Sequence, residues 1–580
     1  MKIQLIFLFL SILLFQNTQA QNSTPKINQL GYQPNQSKVA IIPDTKAEKF
    51  ILKNVSNMSV VFSGELKVGG FNEPSGEQVQ VADFSEFNIP GEYVLEVEGG
   101  ETSSSFIIGE DVFGDVTKAT LKAYYYMRAS IPLENKFAGK WARSMGHPDT
   151  SVMIHPSAAT ERRPEGVIIS SPKGWYDAGD YNKYVVNSGI STYTLLFAYE
   201  QFPEFFKNQN LNIPESGDKV PDILDEVIWN LRWLMTMQDT DDGGVYHKTT
   251  TANFEDAVMP KDAINQRYVV MKNTPATLDF AAMMAQAARV YEPFFPSFAD
   301  SALAASKKAW RWATKNPNVM YQQFQMNNKF EPDVVTGAYG DRNASDELFW
   351  AGSELFITTK NKAYYNPKGW KDAEITIPSW NNVRALGLYS LVHHARKLSG
   401  ITTPEKKAMS EKLVALIDQM VEDSKTAPYR SPFGLDNTHF FWGSNGHAGN
   451  IGMAILQAYQ ITGDEKYYDA ALHVADYLLG VNPTGYSYIT GFGDKQVMNI
   501  HHRPSEADEI EAPVPGMVSG GPNPRNLNQD CGEEMYPSKL PALAFLDDWC
   551  SYSTNEITIN WNAPVVYLFS GLEYLGEELE

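Results

Sequence analysis

Residues Ser104–Arg128 read SSFIIGEDVFGDVTKATLKAYYYMR, and the character of the chain changes inside them. SSFIIG closes a series of short β-branched runs. GEDVFGDV, Gly109–Val116, reads as a short linker. From Val116 onward apolar residues recur three and four apart, the spacing of one helix face. The chain therefore divides here into an all-β part and an all-α part.

Upstream lie KVAIIP (Lys38–Pro43), FILKNV (Phe50–Val55), SVVFSG (Ser59–Gly64) and EYVLEVEGG (Glu92–Gly100), punctuated by turn residues such as Pro90-Gly91 and Gly99-Gly100. Short strands at this spacing predict a small antiparallel β-sandwich of immunoglobulin type over residues 21–108. Downstream, helical periodicity marks Val116–Arg128, Gly189–Gln201, Ile223–Met237, Pro275–Tyr291, Phe298–Ala313 and Asp346–Thr358. It continues through Trp380–Leu398, Lys407–Asp423, Gly449–Ile461, Glu465–Leu479 and Ala563–Leu575. A short helix near Ser538–Phe545 makes about twelve, which predicts helical hairpins packed around one core over 117–580, after a linker at 109–116. Loops as long as Phe205–Val220 and Asn482–Lys539 are usually functional when they are rich in aromatic residues.

The first residues, MKIQLIFLFLSILLFQNTQAQ, combine Lys2, an apolar run from Ile3 to Phe15 and the small-residue site Thr18-Gln19-Ala20. This is the pattern of a secretory signal peptide, residues 1–20, and it predicts a secreted protein in the periplasm, at the cell surface or in the medium. No later stretch approaches the ~18 apolar residues of a membrane span. The 580-residue chain carries a net charge of −21, which argues against nucleic acid and anionic membranes as partners. Two cysteines exclude a disulfide scaffold; Cys531 and Cys550 are either a disulfide or two buried thiols.

Three loops carry residues suited to chemistry. In GWYDAGDYNKYVVNSG, Gly174–Gly189, Asp177 and Asp180 stand three apart before a helix, among Trp175, Tyr176, Tyr181 and Tyr184. Such a pair can hold a water and take its proton, although Asp180 also suits a helix cap and Asp177 a turn. In SYITGFGDKQVMNIHHRPS, Ser487–Ser505, His501, His502 and Arg503 offer donors for sugar hydroxyls; adjacent histidines without partner spacing make a poor metal site. In FLDDWCSYSTNEITINWNAPVVY, Phe545–Tyr567, Glu556 lies among aromatic residues that disfavour its charged form, so it suits a general acid; a surface glutamate is the plainer reading. Two carboxylates with aromatic platforms are what glycoside hydrolysis needs.

These three loops resemble motifs of glycoside hydrolase family 9, the inverting β-glucanases often called cellulases. His501 and Arg503 fit its H-x-R ending, and Phe545, Asp547, Tyr552, Glu556, Thr558, Asn562 and Ala563 fit its last motif. Ile27–Ile42, INQLGYQPNQSKVAII, and the segment to Ile108 resemble the immunoglobulin-like domain that precedes one subgroup. The resemblance implies an (α/α)6 barrel and an endo-acting hydrolase of β-1,4-glucans: cellulose, mixed-linkage glucan, xyloglucan or glucomannan. By position it implies Asp180 as general base, Asp177 as its support, Glu556 as general acid, His501 and Arg503 at the sugar beside the scissile bond, and Asp547 as a second acidic position. An inverting mechanism sets the carboxyl groups roughly 6.5–9.5 Å apart. Trp175, Tyr184, Trp350, Trp380, Trp442, Tyr486 and Tyr552 are candidate sugar contacts, with core packing as the alternative for the aromatic platforms.

No cofactor is expected for the chemistry. TGAYGDRNASDELFWAG, Thr336–Gly352, resembles a structural calcium segment, with Asp341, Asp346 and Glu347 as ligands; the SWNN turn, Ser379–Asn382, puts Asn381 where some relatives supply an Asp. An acidic helix start is the plainer reading of that segment. Zinc, which some relatives bind upstream of the aspartate pair, is not expected, because Gly139–Lys173 has His147 and His155 but no cysteine. A monomer is expected, and the short stretch after the last helix leaves no room for a cellulose-binding module. Two other readings stay open: an exo-acting β-glucosidase or glucosaminidase, with Phe205–Val220 or Ala507–Glu533 closing the cleft and the acidic Ser505–Pro513 favouring an amino sugar, and a catalytically silent glycan-binding protein.

Overall fold

The computed structural model describes residues 24–527 and 529–577; the expected signal peptide lies outside them. Seven strands come first: β1 (Gly31–Tyr32), β2 (Val39–Pro43), β3 (Lys49–Asn54), β4 (Val60–Asn72), β5 (Glu77–Asp83), β6 (Gly91–Val97) and β7 (Phe106–Ile108). They run in the order β1-β7-β6-β3-β4-β5-β2. The long β4 pairs with β3 through Glu65 and with β5 from Leu66 onward, so one strand passes from one layer to the other. Alternating inward residues then meet between the layers, where Tyr32, Phe50, Leu52, Phe84, Tyr93, Leu95 and Phe106 form the core of an immunoglobulin-like sandwich.

The rest is helical. Outer helices α1 (Gly114–Tyr126), α3 (Asp222–Met237), α5 (Pro296–Lys315), α7 (Lys368–Lys371), α9 (Thr403–Ser424) and α11 (Glu465–Leu478) alternate along the chain with inner helices. The inner ones are α2 (Val185–Gln201), α4 (Thr274–Tyr291), α6 (Ser345–Thr359), α8 (Arg384–His393), α10 (Ser444–Thr462) and α12 (Ile559–Glu577). Sequence separates the two rings. Inner helices are buried on nearly every side: every residue of α2 from Val185 to Ala198 is buried. Outer α9 buries only a stripe, Met409, Leu413, Ile417 and Val421, at helical spacing. This is the (α/α)6 arrangement. Helix starts are signalled locally, as where Asn273 caps α4 and Thr402 and Glu405 form a capping box on α9.

Two expectations need correction. The segment Ser538–Phe545 is not a helix but a single 3₁₀ turn, Pro541–Leu543, since Pro537 and Pro541 interrupt it. The short outer position is filled instead by the four-residue α7. A second sheet was not foreseen: β8 (Val152–Ile154), β9 (Ile168–Ile169), β10 (Lys183–Tyr184), β11 (Lys248–Thr251) and β12 (Arg267–Val269), in the order β10-β11-β12-β8-β9. Among the described residues no helix is long and apolar enough to cross a membrane.

Candidate active site

The three loops singled out in the sequence converge as a small ladder of extended segments. Ala178 pairs with Thr558, and Ile559 N–H donates to the Asp177 carbonyl at 2.9 Å. His501 pairs in parallel with Glu556, and Ser519 with Ile557. Gly179 is required by this crossing: a Cβ there would strike the carbonyl of His501. Backbone pairing therefore fixes the distance between the aspartate loop and the glutamate loop before any side chain is considered.

Asp177 is buried, with Oδ1 accepting from Asn187 Nδ2 at 2.6 Å and Oδ2 from the Tyr339 hydroxyl at 2.8 Å. Loss of water and the neighbouring Asp180 push its carboxyl up to about 8. In Asp180, Oδ2 accepts from Asn182 Nδ2 at 2.5 Å and from the Tyr184 hydroxyl at 3.2 Å, while Oδ1 has no partner in the protein. Of the four oxygens in the pair, only this one is free to accept from a water. Glu556 is pushed up to about 8, chiefly by desolvation and then by Asp180 and Asp177; Arg503 and a Gly179 N–H pull the other way. At neutral pH Glu556 thus keeps its proton, and so does Asp177.

His501 donates from Nδ1 to the Trp549 carbonyl at 2.8 Å, and its ring stacks on Trp549 with centroids 4.2 Å apart. Burial lowers its pKa to about 4, so it is neutral. Arg503 gives Nη1 to the Gly179 carbonyl and Nε to the Glu255 carbonyl, at 2.9 and 2.8 Å. One aromatic run leaves Asp177 through Tyr339 to Trp380, 5.2 Å away edge-on. Another runs from His501 through Tyr552 to Trp442, which is 40% exposed.

Several expected contacts fall elsewhere. Trp175 and Trp350 are fully buried: the Trp175 Nε1 donates to Glu226 and Trp350 packs edge-on against Tyr193, so neither can stack on a sugar. Tyr184 is buried behind Asp180 and acts on that carboxylate rather than on substrate. Tyr486 is occupied by Phe545 and the Lys495 ammonium. Both oxygens of Asp547 accept from Met498 N–H, and Oδ1 also from Asn499 N–H and Asn555 Nδ2. Asp547 therefore ties the histidine loop to the glutamate loop. His147 bonds the Tyr176 hydroxyl and His155 the Pro332 carbonyl, each engaged separately. Cys531 and Cys550 are disulfide-bonded, which settles the alternative left open above. The loop Phe205–Val220 is held back by Glu215 pairing with Arg128, and Ser519–Gly520 of the other long loop belongs to the ladder itself.

At the start of α6, Asp346, Glu347 and Asp341 gather as expected, but Asn381 does not join them: it is exposed and its Oδ1 accepts from Ser379. The fourth carboxylate is Asp279 of α4, which the periodicity had hidden as a core position. Both its oxygens, Glu347 Oε2 and Asp341 Oδ2 are buried without partners. Burial and mutual repulsion push the carboxyls of Asp279 and Glu347 well up. Carboxylate oxygens without partners are the donor type that a hard divalent cation takes.

Paired buried carboxylates with aromatic rings near them are what a glycoside hydrolase requires. The model of glycosyl hydrolase family 9 matches residues 113–569, and that of the cellulase N-terminal ig-like domain matches residues 20–102. The xyloglucan-specific endo-beta-1,4-glucanase BoGH9A of Bacteroides ovatus is 43% identical over 560 residues, 96% of this chain and 94% of the relative. Endoglucanase D of Acetivibrio thermocellus is 30% identical over 95% of this chain and 83% of its own length. The solved structure of Bacteroides ovatus GH9 superposes with a TM-score of 0.90 at 42% identity, covering 96% of this chain and 99% of that one. The chain belongs to glycoside hydrolase family 9.

Proposed function

We propose that the protein is an exported, inverting endo-β-1,4-glucanase whose preferred substrate is a xylose-branched glucan, xyloglucan. It is a hydrolase that uses no cofactor for the chemistry. Asp180 Oδ1 takes the proton of the attacking water while Asp177, protonated and held by Tyr339 and Asn187, orients that water. Glu556 gives its proton to the leaving oxygen, and His501 and Arg503 hold the sugar beside the bond. The single observation that carries this reading is the free Oδ1 of Asp180 beside a Glu556 pushed up to about 8.

Asp279, Asp341, Asp346 and Glu347 would hold a structural calcium that ties α4 to α6 and lets the four carboxylates ionise together. The disulfide supports export, since such bonds persist outside the reducing cytosol. The N-terminal sandwich braces the barrel, and the helical barrel that follows is the catalytic unit.

The test is the product-length profile of the purified enzyme on xyloglucan and on barley mixed-linkage β-glucan. A rapid fall in viscosity with a mixture of oligosaccharides is the expected result. Release of single sugars would replace the endo reading by an exo one, and activity on mixed-linkage glucan alone would overturn the substrate assignment.

A further inference from the structure

The loop between β11 and β12, residues 252–266, stands beside the carboxylates without having been counted among the site loops. It is tied down at several points. The Ala252 carbonyl accepts from Val335 N–H at 2.9 Å, the Glu255 carbonyl from Arg503 Nε at 2.8 Å, and the Val258 carbonyl from the Tyr181 hydroxyl at 2.5 Å. The Glu255 carboxylate closes the loop's neck by accepting from Asn265 N–H and Nδ2, at 3.1 and 2.6 Å. Tyr181 follows Asp180 directly, and Arg503 bonds Gly179, so the loop is fastened to the aspartate motif from both sides.

On this rigid mount Phe254 is 46% exposed, its ring centre 5.6 Å from the Arg503 guanidinium carbon. That is its only ring contact among the described residues. A large aromatic face left in water, held still and placed next to a buried arginine, matches what a pyranose ring requires: a flat apolar surface for its C–H face and a donor at its edge. Arg503 spends Nε and Nη1 on carbonyls, which leaves Nη2 for a hydroxyl. Two aromatic runs lead away from the carboxylates, Tyr339–Trp380 and His501–Tyr552–Trp442, and Phe254 belongs to neither.

We propose that Phe254, with Arg503 at its edge, is the platform for a xylopyranosyl branch of the substrate and so helps to set the preference for a branched over an unbranched β-1,4-glucan. The inference rests on the xyloglucan reading above and names the residue that would carry it.

Phe254→Ala and Phe254→Trp should be compared with wild type on xyloglucan and on mixed-linkage β-glucan, with thermal midpoint as a folding control. The ring is half exposed, so neither variant should lose its fold. The ratio of kcat/KM for xyloglucan over mixed-linkage glucan should fall about tenfold in the alanine variant, through KM, and recover in the tryptophan variant. Equal losses on both glucans would show that the ring serves the backbone, and no loss on either that it touches no substrate; each overturns the inference while the substrate reading stands. A wild-type enzyme inactive on xyloglucan would remove the substrate reading and this inference together.

Discussion

The hydroxyl of Tyr339 donates to Oδ2 of Asp177 at 2.8 Å across 162 residues of sequence. Tyr339 has a left-handed backbone, φ 44°, and its ring meets Tyr184 and Trp380 edge-on at 4.8 and 5.2 Å. One side chain therefore links Asp177 to the aromatic run that ends on Trp380. A strained backbone at this point is consistent with a conformation kept for function rather than for stability.

Removing that link should reduce turnover more than binding. Tyr339→Phe keeps the ring against Trp380 but takes away a donor to Asp177, so the carboxyl rises further and its orientation loosens. A hydrogen bond of this kind contributes about 1 kcal/mol net, and the expected loss in kcat is about fivefold. KM should move less than about twofold. Steady-state kinetics separate the two parameters; a rise in KM with kcat unchanged would mean that Tyr339 serves only to bind sugar.

The pH dependence should end on Glu556. Its carboxyl must be protonated to act, it is pushed up to about 8, and the proton is held below that value and lost above it. Activity should therefore persist through neutrality and decline as pH passes about 8. Glu556→Gln should lower kcat about 10²- to 10⁴-fold, the scale of general acid catalysis, and leave only the part of that alkaline limb set by Asp177, which is pushed up to about 8 as well. An aryl glycoside with a good leaving group needs little protonation, so its hydrolysis should be spared in the variant. Unimpaired glucan hydrolysis by Glu556→Gln would refute the acid assignment.

How far this site could be read in the sequence depended on distance along the chain. Asp177 and Asp180 share one turn, and Glu556 lies in a run of aromatic and Asn/Thr residues, so their chemistry was visible locally. Tyr339 and Asp279 were not, because each meets its partners only through the closure of the barrel. Asp279 sits at a helical position that periodicity assigns to the core. Trp175 and Trp350 were misplaced for the converse reason: proximity in sequence to an acid says nothing about which way a ring points. The sheet formed by β8–β12 escaped because its strands are two to four residues long and give no alternating pattern.

The four-carboxylate cluster predicts a cation-dependent fold. Chelator-treated protein should melt at a lower temperature than protein in millimolar calcium, by about 5 °C if the site is well filled. Asp346→Ala should abolish the difference, as the Asp346 charge acts on Asp279, Asp341 and Glu347 alike. Titration calorimetry on chelated protein would give the stoichiometry directly. An unchanged midpoint with no measurable calcium binding would leave the cluster as a set of protonated core acids.

The sandwich should matter to the site without touching substrate. Its β4–β5 turn reaches the segment that leads into the glutamate loop: the Pro74 carbonyl accepts from Ala542 N–H at 3.0 Å, and Glu77 accepts from the Tyr429 hydroxyl at 3.0 Å. Near the other end, Asn28 donates to Asp476 at 2.8 Å, and the Gln29 side-chain oxygen accepts from Lys495 N–H at 2.8 Å, within the histidine loop. Between these polar ties Val39, Ile41, Val79 and Val81 share an apolar cluster with Tyr429 and Val481. Deleting residues 21–108 would expose that cluster and free two loops that carry site residues. Each fully buried aliphatic side chain lost from such a contact is worth about 1.5–3 kcal/mol, so the truncated chain should melt markedly lower and lose activity as its site loosens. A truncation that melts normally and turns over normally, but binds glucan less well, would instead make the sandwich a sugar-binding module.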